Sequence, residues 1–161
     1  MTTIVGIKTK DGVVLSSDKR ASKGFFIGSK ITQKILKVDE TIAVAIAGQV
    51  SDAEYLVNAV RAERTLVGLQ RGYPLTVRET AKLIANIAYQ GMKNYQPYFA
   101  EFIVGGVDQT GPHVFESDMS GAISTERRAR ISHMQTSPLL TLRQRWWPGS
   151  RWRGIPPRSL L

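Results

Sequence analysis

The hydrophobic period of this chain changes twice, and that change limits the folds open to it. Short strand-like runs fill Thr3 to Ala47, the last of them with a period of two; between Ser51 and Ala88 apolar residues recur at helical spacing; from Glu101 to Glu116 strand-like runs return. Thr3 to Lys8 reads as a strand, and Val13 to Ser17 as its return across Asp11-Gly12, delivering Asp18 at its end. Glycine at the turn is expected to supply the positive φ of a tight hairpin. Ala21 to Lys30 reads as a loop or irregular strand. Lys34 to Val38 and Thr41 to Ala47 form a second hairpin around Asp39-Glu40. In its later strand Ile42, Val44 and Ile46 point one way, and Ala43, Ala45 and Ala47 the other. Both faces of that strand therefore need a packed neighbour.

Two helices are predicted next. Ser51-Asp52-Ala53-Glu54 fits a capping box, Leu56, Val60 and Val67 share a face, and Gly72 is the stop. Thr76-Val77-Arg78-Glu79 is a second box. Val77, Ala81, Ile84 and Ala88 follow as an apolar stripe, widened by Leu83 and Ile87. The short Tyr73-Pro74 link makes the helices antiparallel neighbours. Glu101 to Val107 and His113 to Glu116 are further strands across residues 108–112, and Ser120-Gly121 is a turn. Strands, then helices, then strands argue for α+β, with helices covering an antiparallel sheet.

Composition removes several chemistries. The 161 residues contain no cysteine, which rules out disulfides, thiolate catalysis and cysteine-ligated metals. His113 and His133 share no metal-ligand spacing, so no metal and no cofactor is expected. No apolar run reaches the ~20 residues of a spanning helix, and no signal sequence opens the chain, so a cytoplasmic location is expected. The net charge of +9 points to nucleic acid only as a total. Residues 1–126 hold 14 basic and all 13 acidic side chains, whereas residues 127–161 hold eight arginines and no acid. The first part is nearly neutral.

Thr2 follows Met1 directly. If Met1 is removed, one residue carries a hydroxyl and a free α-amine, which titrates near pH ~7.7–8.0 and can accept the hydroxyl proton. The plain alternative is a frayed terminus. Such a nucleophile needs a cation, a carboxylate to hold it and an amide facing the oxyanion. Asp18, Lys34 and Gly48 are the candidates. Read singly, they are also a strand end, a surface charge and a turn glycine.

Taken together these segments resemble a family. Thr2-Thr3-Ile4-Val5-Gly6-Ile7, Lys10-Asp11-Gly12-Val13-Val14-Leu15, Asp18-Lys19-Arg20-Ala21-Ser22, Lys30 to Lys34, Ile46-Ala47-Gly48 with Asp52-Ala53, and Val104-Gly105-Gly106-Val107-Asp108 with Gly111-Pro112-His113-Val114-Phe115 are similar to β subunits of the archaeal-type 20S proteasome. The bacterial two-component peptidase shares the Thr-Thr-Ile-Val start but fits the middle less well. The resemblance implies the αββα sandwich of N-terminal-nucleophile hydrolases and a threonine endopeptidase cleaving unfolded polypeptides. Thr2 would be the nucleophile, its amine the base, Asp18 and Lys34 the supporting ion pair, and Gly48 the oxyanion amide. Arg20 would brace the first hairpin. Ala21 and Ser22 would bind an extended substrate strand. Thr32, Ile46 and Val50 would shape an apolar-preferring pocket. The implied partners are other β subunits in heptameric rings, α-subunit rings and an ATP-dependent unfoldase, with no nucleic acid and no membrane.

The resemblance covers residues 2 to about 123. The family's later Gly-Ser-Gly-Ser turn and aspartate have no match here. The expected organisation is an incomplete hydrolase domain over residues 1–123 and a basic Arg/Trp/Pro-rich tail over 124–161, out of frame or disordered. Out-of-frame translation of a GC-rich gene from near residues 124–127 accounts for that composition. With the sheet cut short, unpaired strand edges are exposed, and the chain as written is expected to fold poorly and lack activity. Two readings stand beside the enzyme: an inactive ring subunit, and a binding module acting through the basic tail.

Overall fold

A computed structural model describes residues 2–23, 26–29 and 31–132, with the backbone alone described at 21–23, 26–29 and 132. The tail after residue 132 and Met1 therefore lie outside the described residues. The element order is β1 (Thr3–Lys8), β2 (Val13–Ser17), β3 (Ala21–Lys23), β4 (Phe26–Ser29), β5 (Ile35–Lys37), β6 (Ile42–Gly48), α1 (Val50–Arg71), α2 (Val77–Lys93), β7 (Ala100–Asp108), β8 (Gly111–Ser117), β9 (Ile123–Thr125) and β10 (Arg128–Ser132).

These elements stack in three layers. A sheet of order β10-β1-β2 packs on a second of order β5-β6-β7-β8-β9, and the helices cover the far face of the second. β3 and β4 form a separate ribbon. Every pairing is antiparallel. The fold is α+β, two antiparallel sheets face to face with helices outside, as expected from the sequence. Among the described residues the helices lie on one outer side.

The two-faced strand behaves as its alternation requires. Ile42, Val44 and Ile46 enter the core beneath the helices with Leu56, Val60, Ile84 and Phe102. Ala45 and Ala47, with Ile103 and Val114 of the same sheet, face the other sheet against Ile4 and Ile131. Small residues let the sheets approach: a Cβ on Gly6 would come within 2.6 Å of Ile103 Cγ2, and one on Gly105 within 2.7 Å of Val13 Cγ1. Contacts that close are already overpacked. Each fully buried Ile, Val or Leu contributes about 1.5–3 kcal/mol, so both layers are needed to hold β6 and β7 together.

The α2 stripe is buried as predicted, and Thr76 and Glu79 complete their capping box. An Asp108 carboxylate oxygen also accepts from the Val77 amide at 3.0 Å, a second cap from 31 residues away. Gly72 ends α1 at φ 76.

Four expectations need correction. α1 starts at Val50 with Gln49 as N-cap, so Ser51 caps nothing. Asp52 is engaged elsewhere, as described below. The Gly12 turn forms without positive φ, because the connection is four residues long and Thr9 bonds the Gly12 carbonyl. The buried α1 face is Ala53, Leu56, Val57, Val60 and Arg64, with Val67 only half-buried. An arginine fits there because its guanidinium pairs with Asp39 and donates to the Leu75 carbonyl at 2.9 Å. Finally, regular structure does not stop at residue 123. β10 pairs with β1 from Thr3↔Ser132 to Ile7↔Arg128, burying Ala129 and Ile131 between exposed Arg128 and Arg130. That alternation is only four residues long and sits in arginine-rich sequence, which hid it.

Candidate active site

The site forms where the first hairpin meets the start of β5. Antiparallel pairing of β1 and β2 returns the chain to its beginning, so Asp18 follows Ser17 beside Thr3. The Asp18 amide donates to the Thr3 carbonyl at 3.2 Å, and the Thr3 amide donates to Asp18 Oδ1 at 3.0 Å. The Arg20 amide donates to Asp18 Oδ2 at 2.9 Å. Two main-chain amides thus fix the carboxylate before any cation is considered.

Lys34 reaches this carboxylate from the other sheet. Its carbonyl accepts from the Ile46 amide at 2.8 Å, which extends the β5–β6 ladder by one residue. The Thr32 amide donates to the Lys19 carbonyl at 3.0 Å and ties the two loops together. Lys34 is buried, 3% exposed. Its Nζ donates to Thr2 Oγ1 at 2.9 Å, to both Asp18 oxygens at 3.0 Å, and to the Arg20 carbonyl. An ammonium has three protons. Thr2, Asp18 and Arg20 use all three, and no proton is left without an acceptor. A cation is therefore held against the Thr2 hydroxyl oxygen, where it favours the deprotonated form. The surface-charge alternative for Lys34 does not survive its burial.

Gly48 lies two residues beyond Ile46 on β6, a rise of about 6–7 Å. It is exposed at the strand end, with φ 112. A Cβ there would sit 2.3 Å from the Phe99 carbonyl oxygen, a backbone atom that cannot swing aside. Only glycine fits the position.

The remaining residues are placed less centrally. Arg20 contributes through its main chain on both sides, to Asp18 and from Lys34, and its side chain is exposed. Sequence reasoning missed this, because a backbone carbonyl has no residue-type signature. Thr32 and Val50 are half-buried, Val50 against the helix-side core. Ile46 is 2% exposed within that core rather than open to a groove. Ala21 and Ser22 lie in β3, whose register shifts between them; their side chains are outside the described residues. Among the described residues no group of three side chains could hold a metal ion, and no helix is long and apolar enough to cross a membrane.

The layered sheets and helices, with a threonine, a lysine and an aspartate gathered at the first hairpin, define the N-terminal-nucleophile hydrolase class. The family described as "Proteasome subunit" matches residues 1–141. The chain belongs to the proteasome subunit family, among its β subunits. It is 43% identical over 127 residues to proteasome subunit beta 1 of Korarchaeum cryptofilum, covering 78% of this chain and 60% of that protein. It is 42% identical over 138 residues to proteasome subunit beta of Methanothrix thermoacetophila, covering 86% and 65%. It is 42% identical over 125 residues to the β subunit of Haloferax volcanii, covering 78% and 50%. The chain thus spans between half and two-thirds of the length of these relatives.

Proposed function

We propose that this chain carries the catalytic centre of a threonine-type endopeptidase subunit of a 20S core, cleaving unfolded polypeptides. The observation that carries the reading is the Lys34 ammonium donating to Thr2 Oγ1 at 2.9 Å while Asp18 holds it. Removal of Met1 frees the amine. The amine takes the hydroxyl proton, through a water, as Oγ1 attacks the scissile carbonyl. Lys34 stabilises the charge on Oγ1, a contribution of several kcal/mol gross at an effective dielectric of ~20, part of it offset by the Asp18 charge. The Gly48 amide receives the oxyanion. The protonated amine then passes its proton to the leaving amine, and water resolves the acyl-threonine.

Ala21 and Ser22 would bind the substrate as an added strand, their ribbon already offering an extended main chain. Thr32 and Val50 would line the pocket for the residue before the cut. Other β subunits in heptameric rings, α-subunit rings, an ATP-driven unfoldase and a cytoplasmic location belong to the same proposal.

The test is intact mass with a peptide epoxyketone, an electrophile that reacts with both hydroxyl and amine of an N-terminal threonine. β10 pairs with the β1 edge and Thr2, Lys34 and Asp18 are assembled, so in place of the inactivity expected from the sequence we expect one adduct on a chain lacking Met1, lost in Thr2→Ala. Retained Met1 with no adduct would overturn the peptidase reading in favour of an inert ring subunit.

A further inference from the structure

The peptide that follows Gly48, one bond beyond the peptide carrying its amide, is held from a distance. Gln49, the N-cap of α1, has no side-chain cap, and its own amide donates instead to the Phe99 carbonyl at 2.7 Å. The Phe99 amide in turn donates to Asp52 Oδ2 at 2.9 Å, although the two residues are 47 apart in sequence. The other Asp52 oxygen accepts from Gln49 Nε2 at 3.1 Å. Both main-chain groups of Phe99 are therefore tied to the first turn of α1. The tied carbonyl oxygen is the atom 2.3 Å from where a Gly48 Cβ would be. It leaves no room for a side chain on Gly48, whose φ is 112.

A carboxylate in the third position of a helix ordinarily reaches back to its own N-cap amide. Here that amide is already used, so Asp52 reaches across to the entry of β7. The helix dipole favours the charge in either arrangement. Helix stability alone therefore does not require the bond to Phe99.

We infer that Asp52 is a positioning residue for the oxyanion amide: its carboxylate fixes Phe99, Phe99 fixes the Gly48–Gln49 peptide, and that peptide limits rotation at Gly48, whose own amide lies on the other side of its Cα. This rests on the peptidase reading for its catalytic use, but the clip is observable without it. Misplacing a reacting group by about 1 Å costs up to ~100-fold in rate, and losing an oxyanion donor ~100–1,000-fold. Asp52→Ala is therefore expected to slow Thr2 labelling at saturating epoxyketone by ~10–100-fold. The half-saturating probe concentration is expected to change less than ~3-fold.

Asp52→Asn retains an acceptor for the Phe99 amide and should restore most of the rate. Asp52→Glu keeps the charge in the first helical turn but displaces the carboxylate, so it should stay folded and still label ~10-fold slowly. Hydrogen exchange is measured on the same full chains. The Gln49 amide should exchange at least ~10-fold faster in the Ala and Glu variants than in wild type or the Asn variant. Unchanged Gln49 protection in both slow variants, or a wild-type labelling rate in a folded Asp52→Ala chain, overturns the inference. Absence of any adduct on the wild-type chain refutes the peptidase reading and with it the catalytic use of the clip. The exchange data then decide the clip on their own.

Discussion

Replacing Lys34 by methionine tests the site and the fold together. The side chain is of similar length and apolar, so it can occupy a position that is 3% exposed. What disappears is the ammonium and its bonds to Thr2 Oγ1, the Asp18 carboxylate and the Arg20 carbonyl. Removing one member of a buried pair costs about 3–5 kcal/mol. Asp18, however, keeps its two amide donors, at 3.0 and 2.9 Å, and its side chain is 24% exposed, so water can reach it. The loss is therefore expected nearer that of one charge-assisted hydrogen bond, about 2–3 kcal/mol. Urea unfolding should show a midpoint lower by on the order of 1 M with an unchanged slope. A cycle with Asp18→Asn isolates the pair, with an expected coupling of about 1–3 kcal/mol. Because the pair is mostly buried, 0.5 M salt should leave that coupling nearly intact. The folded Lys34→Met chain should form no epoxyketone adduct. A coupling below about 0.5 kcal/mol would refute the claim that the cation and carboxylate act as a unit. Normal labelling would refute the role of the cation at Thr2.

Two further perturbations report on the scaffold. Thr76→Ala removes the hydroxyl that accepts from the Glu79 amide at 3.2 Å and should cost about 1–2 kcal/mol in urea unfolding; a loss below ~0.3 kcal/mol would contradict the capping assignment. Glu116 has its pKa raised above the ordinary carboxylate value, first by burial and then by the charges of Glu126, Glu101 and Asp118. The folded state therefore binds this proton more tightly than the unfolded chain, so the ionised form is unfavourable above the folded pKa. Glu116→Gln should raise the thermal midpoint at pH 7.5, and the gain should vanish as pH falls below the unfolded value near 4.5; a gain that persists at pH 3.5 would contradict this.

Much of the candidate site was legible in residues 2–48, because each participant sits at the end of an element the pattern defines. Asp18 follows a strand, Lys34 precedes one, and Gly48 closes one. The clip on Gly48 was not legible. Asp52 looked like an interior position of a capping box between Ser51 and Glu54, and its real partner is a main-chain amide 47 residues away. The half-site supplied by the Arg20 carbonyl was equally hidden, since any residue could have furnished it.

The sequence by itself determined the strands β1, β2 and β5 to β8, the two helices, the two faces of β6, the buried stripe of α2, the Thr76 cap and the Gly72 stop. These depend on neighbours within a few positions, where side-chain direction repeats with the local backbone. Tertiary structure alone decided that β6 pairs with β7 across two intervening helices, that β10 closes against β1, that Arg64 is buried with Asp39, and that the Phe99 carbonyl excludes a side chain from Gly48. Such contacts join residues tens of positions apart. Which of them form is settled by the burial of both core layers at once, and no short stretch of the chain contains that information.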